Sequence, residues 1–168
     1  MSSSAHKLSI VCPAYEEEDV LPSFHAELCT VLNMLGPTYS FEIIYVDDGS
    51  QDRTLSVLRA LASADSRVHY LSLSRNFGHQ AALTAGLEHA RGDAVITLDS
   101  DLQHPPLLIP TLVARWREGH DVVLTLRQDD PSLGRFKRLT SRAFYKVMQA
   151  VSETEVRAAA SDYRLLSR

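Results

Sequence analysis

The chain has 168 residues, of which 45% are hydrophobic and 23% are charged, so it is neither disordered nor fibrous and should form one folded domain over residues 1–168. Its formal net charge of −4 provides no overall attraction to nucleic acid. The two cysteines, Cys12 and Cys29, lie in apolar stretches without metal-ligand spacing, which favours buried thiols in a reducing compartment.

Neither the start of the chain nor its apolar segments indicate export or insertion into a membrane. Residues 1–7 are polar and lead directly into an apolar segment, so they lack the hydrophobic centre of a secretory signal. The longest apolar runs are shorter than the roughly 20 residues that a membrane-spanning helix needs. We therefore expect a cytoplasmic protein whose contact with a membrane is peripheral.

Short apolar segments alternate with segments of helical periodicity, a pattern typical of βαβ units. The predicted strands cover residues 8–12, 41–46, 68–73, 94–98 and 122–126. The predicted helices between them cover residues 17–35, 52–63, 78–90 and 107–117. Because the strands are nearly continuous apolar runs, they predict an α/β fold, with a mostly parallel sheet and helices on both of its faces.

A different pattern follows the last predicted strand. Residues 129–134 are typical of a loop, and residues 133–151 have the apolar spacing of an amphipathic helix. Five basic residues lie between Arg135 and Lys146 with no acidic residue among them. Such residues are usually a solvated face, but each also adds about 1 kcal/mol of attraction to an anionic membrane. We predict that this helix docks on an anionic membrane surface.

Polar residues follow the ends of the predicted strands, where open parallel sheets bind their ligands. Asp99 and Asp101 follow the fourth strand, and Gln103 comes two residues later. Carboxylate and amide oxygens are ligands of Mg²⁺ or Mn²⁺, which proteins often hold together with substrate phosphates. An isolated Asp-x-Asp more often shapes a turn or caps a helix. The metal hypothesis therefore depends on the neighbouring motifs.

The second acidic motif, Asp47-Asp48-Gly49-Ser50, follows the second predicted strand. Its simplest interpretation is a tight turn in which Ser50 caps the helix that begins at residue 52. Two adjacent carboxylates facing the same crevice as Asp99 would repel each other unless they had a function, such as accepting hydrogen bonds from a base and a ribose. The pair therefore favours a binding function.

Four motifs, taken in order, resemble the family 2 glycosyltransferases with a GT-A (Rossmann-like) fold, and the resemblance extends from residue 8 to the end of the chain. They are Pro13-Ala14-Tyr15-Glu16-Glu17, residues 46–54, Arg75-Asn76-Phe77-Gly78 and residues 98–106. Within the family they most resemble the polyprenyl-phosphate branch, which includes dolichyl-phosphate mannose synthase and bacterial undecaprenyl-phosphate glycosyltransferases. The resemblance implies metal-dependent, inverting transfer of a sugar from a UDP- or GDP-linked donor to a polyprenyl phosphate.

The resemblance also implies roles for individual residues on the donor side of the site. The loop that contacts the nucleotide corresponds to Pro13, Tyr15 and Glu17. The residue that reads the base corresponds to Asp48. The motif that holds the diphosphate and a Mg²⁺ or Mn²⁺ ion corresponds to Asp99, Asp101 and Gln103.

On the acceptor side, the positions that hold the lipid phosphate correspond to Arg127, Lys137 and Ser141. Asp162 corresponds to an acidic residue beside the acceptor, and it forms the implied catalytic pair with Asp101. A phosphate with a second pKa of about 6 is already ionised near neutral pH, so it scarcely needs a general base. We therefore expect Asp162 to orient the acceptor or to stabilise positive charge on the sugar.

The chain departs from the family pattern in two places. Residues 158–161 replace the glycine that relatives often carry before Asp162, which leaves the geometry of that loop open. The chain also stops at Arg168, whereas family members continue into interfacial and often membrane-spanning helices, so we expect a truncated chain. Self-association is left open.

Two other functions remain as alternatives. A phosphoacceptor signalling module also places acidic residues after parallel strands, but it needs a lysine at a later strand end, where this chain has Arg127. A nucleotide-sugar-binding fragment without turnover is the second alternative. His79 and His104 lie near the predicted crevice, where contact with donor phosphates and ordinary polar packing are both open.

Overall fold

The computed structural model describes residues 6–101, 105–126 and 160–168. The chain divides into two compact units, one formed by Met1–Leu124 with Asp162–Arg168 and the other by Thr125–Ser161. Most of the second unit, including the predicted helix over residues 133–151, lies outside the described residues.

A six-stranded sheet runs through the described residues. Its strands are β1 (His6–Ala14), β2 (Tyr39–Asp47), β3 (Val68–Ser72), β4 (Ala94–Thr97), β5 (Val122–Leu126) and β6 (Ala160–Ser167). The helices are α1 (Leu21–Met34), α2 (Thr54–Ala64), α3 (His79–His89) and α4 (Ile109–Arg117). All five predicted strands and the first four predicted helices are therefore present, with ends that differ by a few residues.

The strand order is β3-β2-β1-β4-β6-β5. Strand β1 pairs in parallel with β2 and β4, and β2 pairs in parallel with β3. Strand β6 runs antiparallel to β4 and lies between β4 and β5. The sheet is therefore mostly parallel, as predicted.

Strand β6 is absent from the sequence prediction, which treated the residues before Asp162 as a loop. Its side chains alternate in burial, with Tyr163 and Leu165 fully buried and Asp162 and Arg164 partly exposed. This alternation is the local signal of a strand with one face in the core. In the sequence, this alternation covers too few residues to distinguish a strand from a loop unless the pairing partner is known.

Helices cover both faces of the sheet, which confirms that part of the prediction. Phe24 of α1, Leu58 of α2 and Leu112 of α4 pack into one buried cluster with β1 side chains such as Ile10. The opposite face is covered by α3, whose Ala82 and Leu83 join a second cluster. None of the helices in the described ranges combines the length and the hydropathy that crossing a bilayer requires.

Candidate active site

A cleft of about 310 Å³ opens where β1, β2 and β4 end. Parallel strands that point the same way bring their carboxyl ends, and the loops that follow them, to a single edge of the sheet. Six residues that line this cleft were predicted from the sequence to bind the sugar donor: Pro13, Tyr15, Glu17, Asp48, Asp99 and Asp101. The structure therefore gathers these residues, while their individual roles remain predictions.

The loop after β1 is bound to the loop after β2 by backbone-to-side-chain hydrogen bonds. The Glu16 N–H donates to Ser50 Oγ at 3.0 Å, and the Glu17 N–H donates to Thr54 Oγ1 at 2.8 Å. The prediction that Ser50 caps the following helix is wrong, because α2 begins at Thr54 with Arg53 at its N-cap, and the Ser50 oxygen accepts a bond from the neighbouring loop. Asp52 makes the local hydrogen bond at the start of α2 instead, since its Oδ1 accepts the Thr54 N–H at 2.9 Å.

The loop after β2 is bound in turn to the loop after β3. Asp48 is 3% exposed, and its two carboxylate oxygens accept the N–H groups of Phe77 at 2.8 Å and Gly78 at 2.9 Å. A carboxylate has about four lone-pair sites, so these bonds leave acceptor capacity for a ligand. Asp48 therefore has a structural role that the sequence did not predict.

Gly49 allows the same two loops to touch. Its φ of +71° lies in the left-handed region, and a Cβ atom there would be 2.3 Å from the backbone carbon of Arg75. Only glycine combines that backbone conformation with such a close approach. The second and third motifs of the sequence thus form a single packed unit beside the cleft.

The two adjacent aspartates of the second motif have different surroundings. Asp47 is 1% exposed, and its oxygens accept hydrogen bonds from the Ser50 N–H at 3.0 Å and from Ser72 Oγ at 3.1 Å. The expectation that both carboxylates face the crevice is therefore wrong. Asp48 lines the cleft, and Asp47 holds the ends of β2 and β3.

The Asp-x-Asp motif is attached to the end of β1. Ser100 is buried, and its hydroxyl donates to the Pro13 carbonyl at 2.8 Å, which holds Asp99 and Asp101 at the cleft wall. Burial raises the pKa of Glu17, and the charges of Asp101, Asp52 and Asp99 raise it further. Such a concentration of carboxylates favours binding of a cation, and hard oxygen ligands fit Mg²⁺ or Mn²⁺.

Asp162 reaches the same region from β6. The Thr97 hydroxyl donates to the Asp162 carbonyl oxygen, which fastens this residue to β4. His79 Nε2 lies 3.3 Å from Asp162 Oδ2 and 3.5 Å from Asp99 Oδ1. The structure therefore brings Asp162 close to the Asp-x-Asp motif, and it places His79 between them.

Several predicted site residues lie outside the described residues: Gln103, His104, Arg127, Lys137 and Ser141. Their roles beside the metal, the donor and the acceptor phosphate stay predictions.

Comparison with known proteins identifies relatives of the chain. Residues 9–168 match the model of glycosyl transferase family 2. The bactoprenol glucosyl transferase of Shigella phage SfV is 44% identical over 162 residues, which are 96% of this chain and 52% of that protein. The chain thus spans about half the length of the curated relatives it matches.

Solved structures show the same fold. The glucosyl-3-phosphoglycerate synthase of Mycobacterium tuberculosis, crystallised with Mn²⁺, UDP and phosphoglyceric acid, has a TM-score of 0.66 at 24% identity, over 98% of this chain and 56% of that one. S. aureus TarS, crystallised with UDP, has a TM-score of 0.57 at 26% identity, over 76% and 37%. These matches confirm the GT-A-type α/β fold and leave the signalling-module alternative without support. The chain belongs to glycosyl transferase family 2, whose model it matches over nearly its whole length.

Proposed function

We propose that this chain transfers a sugar from a nucleotide diphosphate donor to a polyprenyl phosphate, with inversion at the anomeric carbon. The observation that carries the proposal is the single cleft in which Asp48, Asp99 and Asp101 meet, with Asp162 near Asp99. The polyprenyl acceptor is supported by the relatives named bactoprenol glucosyl transferase, which are more than 40% identical to the chain. Their name also supports glucose as the sugar.

The donor nucleotide binds against the loops after β1 and β2 in this proposal. Tyr15 is 41% exposed and offers a ring face to a base, while Asp48 keeps acceptor capacity for a base N–H. Pro13 and Glu17 line the same wall. The UDP complex of TarS, a protein of the same fold at 26% identity, supports a uridine nucleotide.

Asp99 and Asp101 are the residues that would hold a Mg²⁺ or Mn²⁺ ion, with Gln103 as a further oxygen ligand. The chemistry that such an ion supplies when bound is compensation of the negative charge that develops on the departing diphosphate. The chain's own contribution is to hold both carboxylates at the cleft wall through the Ser100 contact with β1.

The transfer step forms a bond between a phosphate oxygen of the lipid and the anomeric carbon, and it breaks the bond from that carbon to the donor diphosphate. The nucleoside diphosphate leaves with the electron pair. Asp162 orients the acceptor and stabilises the positive charge on the sugar in the transition state. In this proposal Arg127, Lys137 and Ser141 hold the acceptor phosphate.

Access to a lipid acceptor requires contact with a membrane. We propose that the predicted helix over residues 133–151 docks on anionic lipid at the inner face of the membrane, because its basic residues have no acidic residue among them. Flotation with anionic liposomes at low salt tests this step. Failure to float with them would contradict it.

Calorimetric titration with a panel of nucleotide sugars, with and without Mn²⁺, tests the donor and metal assignments together. We expect a UDP-linked sugar to bind only with the ion, and Asp101→Asn to abolish that binding while the fold stays intact. Glu88→Gln, an exposed acid on α3, serves as the control. Undiminished binding by Asp101→Asn would refute the metal assignment.

A transfer assay with polyprenyl phosphate then separates the two remaining functions. Formation of the glycosyl lipid supports the enzyme. Donor binding without transfer would instead support the nucleotide-sugar-binding alternative.

A further inference from the structure

His79 is the first residue of α3, and its side chain lies between two acids that come from different strands. Its Nε2 atom is 3.3 Å from Asp162 Oδ2 on β6 and 3.5 Å from Asp99 Oδ1, which follows β4. These side chains are partly exposed, at 41% for His79 and 36% for Asp162. The arrangement is thus open to a ligand in the cleft.

The carboxylate of Asp162 is held from one side by the first turn of α3. Gln80 Nε2 donates to the same Oδ2 atom at 3.2 Å, so His79 and Gln80 approach a single oxygen. The other oxygen, Oδ1, lies 3.9 Å from a terminal nitrogen of Arg164. The positive end of the α3 dipole also favours a carboxylate at this position.

Among the described residues that line the cleft, His79 is the one whose side chain can carry a positive charge. The acids on the same wall are Glu17, Asp48, Asp99 and Asp101. The nucleotide-sugar donor has to bind this site against strong electrostatic repulsion, because both the cleft wall and the substrates are negatively charged. A side chain that donates a hydrogen bond to one of the carboxylates would therefore keep that carboxylate in a defined orientation.

We propose that His79 is a positioning residue for Asp162, an inference that rests on the transfer reaction proposed above. The Nε2 atom of His79 lies within 3.5 Å of both carboxylates, and a single ring nitrogen can direct one hydrogen bond, to one of them. Because Asp99 is assigned to the ion, that bond is left for Asp162. His79, together with Gln80, then fixes the direction of the Asp162 carboxylate relative to the anomeric carbon.

A double-mutant cycle on transfer kinetics in the full chain tests the inference. We expect His79→Ala to lower kcat by about 10- to 100-fold, the size of effect that small misplacement of a catalytic group produces, with the donor KM within about threefold of wild type. His79→Gln keeps an N–H donor and should recover part of the loss. His79→Ala added to Asp162→Asn should cost little more, because the two residues act as one unit.

The control is His89→Ala, which changes the same residue type at the other end of α3 and should leave kcat unchanged. Losses from His79→Ala and Asp162→Asn that multiply fully in the double variant would overturn the inference. So would a raised donor KM at unchanged kcat, which would assign His79 to donor binding. Should His79→Ala fail to fold, the same cycle is run with His79→Gln, and full multiplication there overturns the inference equally.

The outcome also separates this inference from the proposed function. A wild-type chain that transfers no sugar overturns the function and the positioning role together. A wild-type chain that transfers sugar, with kcat unaffected by His79→Ala, overturns the positioning role alone.

Discussion

Substituting Asp48 with asparagine tests whether this residue supports the cleft as well as the ligand. The native carboxylate accepts two backbone N–H groups, from Phe77 and Gly78, with one oxygen for each. Asparagine retains one acceptor oxygen and turns an NH₂ group toward the other N–H. A hydrogen bond to a charged group contributes about 1.5–3 kcal/mol, so losing one bond and neutralising the other should cost about 2–3 kcal/mol of unfolding free energy.

Chemical denaturation measures the loss of stability, and hydrogen exchange locates it. We expect the amides of Phe77 and Gly78 to lose protection in Asp48→Asn, while amides in the centre of β1 keep theirs. Glu88→Gln provides the control, because an exposed substitution away from such contacts should stay within about 0.5 kcal/mol of wild type.

Two results together would refute the structural role of Asp48. They are an unfolding free energy of Asp48→Asn within about 0.5 kcal/mol of wild type and unchanged protection of both loop amides. Any loss of donor binding by such a variant would then be assigned to the proposed contact of Asp48 with the base.

Gly49→Ala should lower the free energy of unfolding in denaturant by about 2–5 kcal/mol, because it adds left-handed strain and a clash with neighbouring backbone. Gly36→Ala is the control: its φ of +74° is similar but nothing lies within 4 Å, so it should cost only about 1–2 kcal/mol. Equal losses from the two variants would contradict the close approach at Gly49. The hydrogen bond and charge of the Arg67 guanidinium lower the pKa of Asp65 to about 2 from its ordinary value of 3.8. The stability from this pair is therefore present above pH 3.8 and lost as the pH falls toward 2. Asp65→Asn should remove about 1–2 kcal/mol of the change in unfolding free energy across that pH window. An unchanged dependence of unfolding free energy on pH in this variant would count against the pair. Burial raises the pKa of the Cys12 thiol, so alkylation at pH 8 should label it only after denaturant is added, and rapid native labelling would contradict its burial.

Much of the fold follows from the spacing of apolar residues. Fully buried parallel strands must be apolar on both faces, so segments such as 41–46 and 94–98 are visible without structural knowledge. Parallel strands also end at one edge of the sheet, which is why Asp48, Asp99 and Asp101 could be expected in one cleft. The family resemblance rests on the same strand-end motifs.

The contacts between the loops could not be predicted in this way. Ser50 and Asp47 have side chains that suit a local cap or turn, and the sequence favoured that interpretation. Asp47 does make the local turn contact, with the Ser50 N–H, but it also accepts a bond from Ser72 on the neighbouring strand. Ser50 accepts the Glu16 N–H from the loop after β1. Which acceptor a short polar side chain chooses depends on the backbone that tertiary folding brings within about 3 Å of it.

The sequence by itself determined the alternation of strands and helices and the acidic character of the strand ends, because both depend on local patterns of side-chain chemistry. Tertiary structure alone decided the position of Asp162. Strand β6 enters the sheet beside β4, where Thr97 holds the Asp162 carbonyl and His79 meets its carboxylate. Pairing between segments so distant along the chain depends on packing in three dimensions, and no short stretch of sequence encodes it.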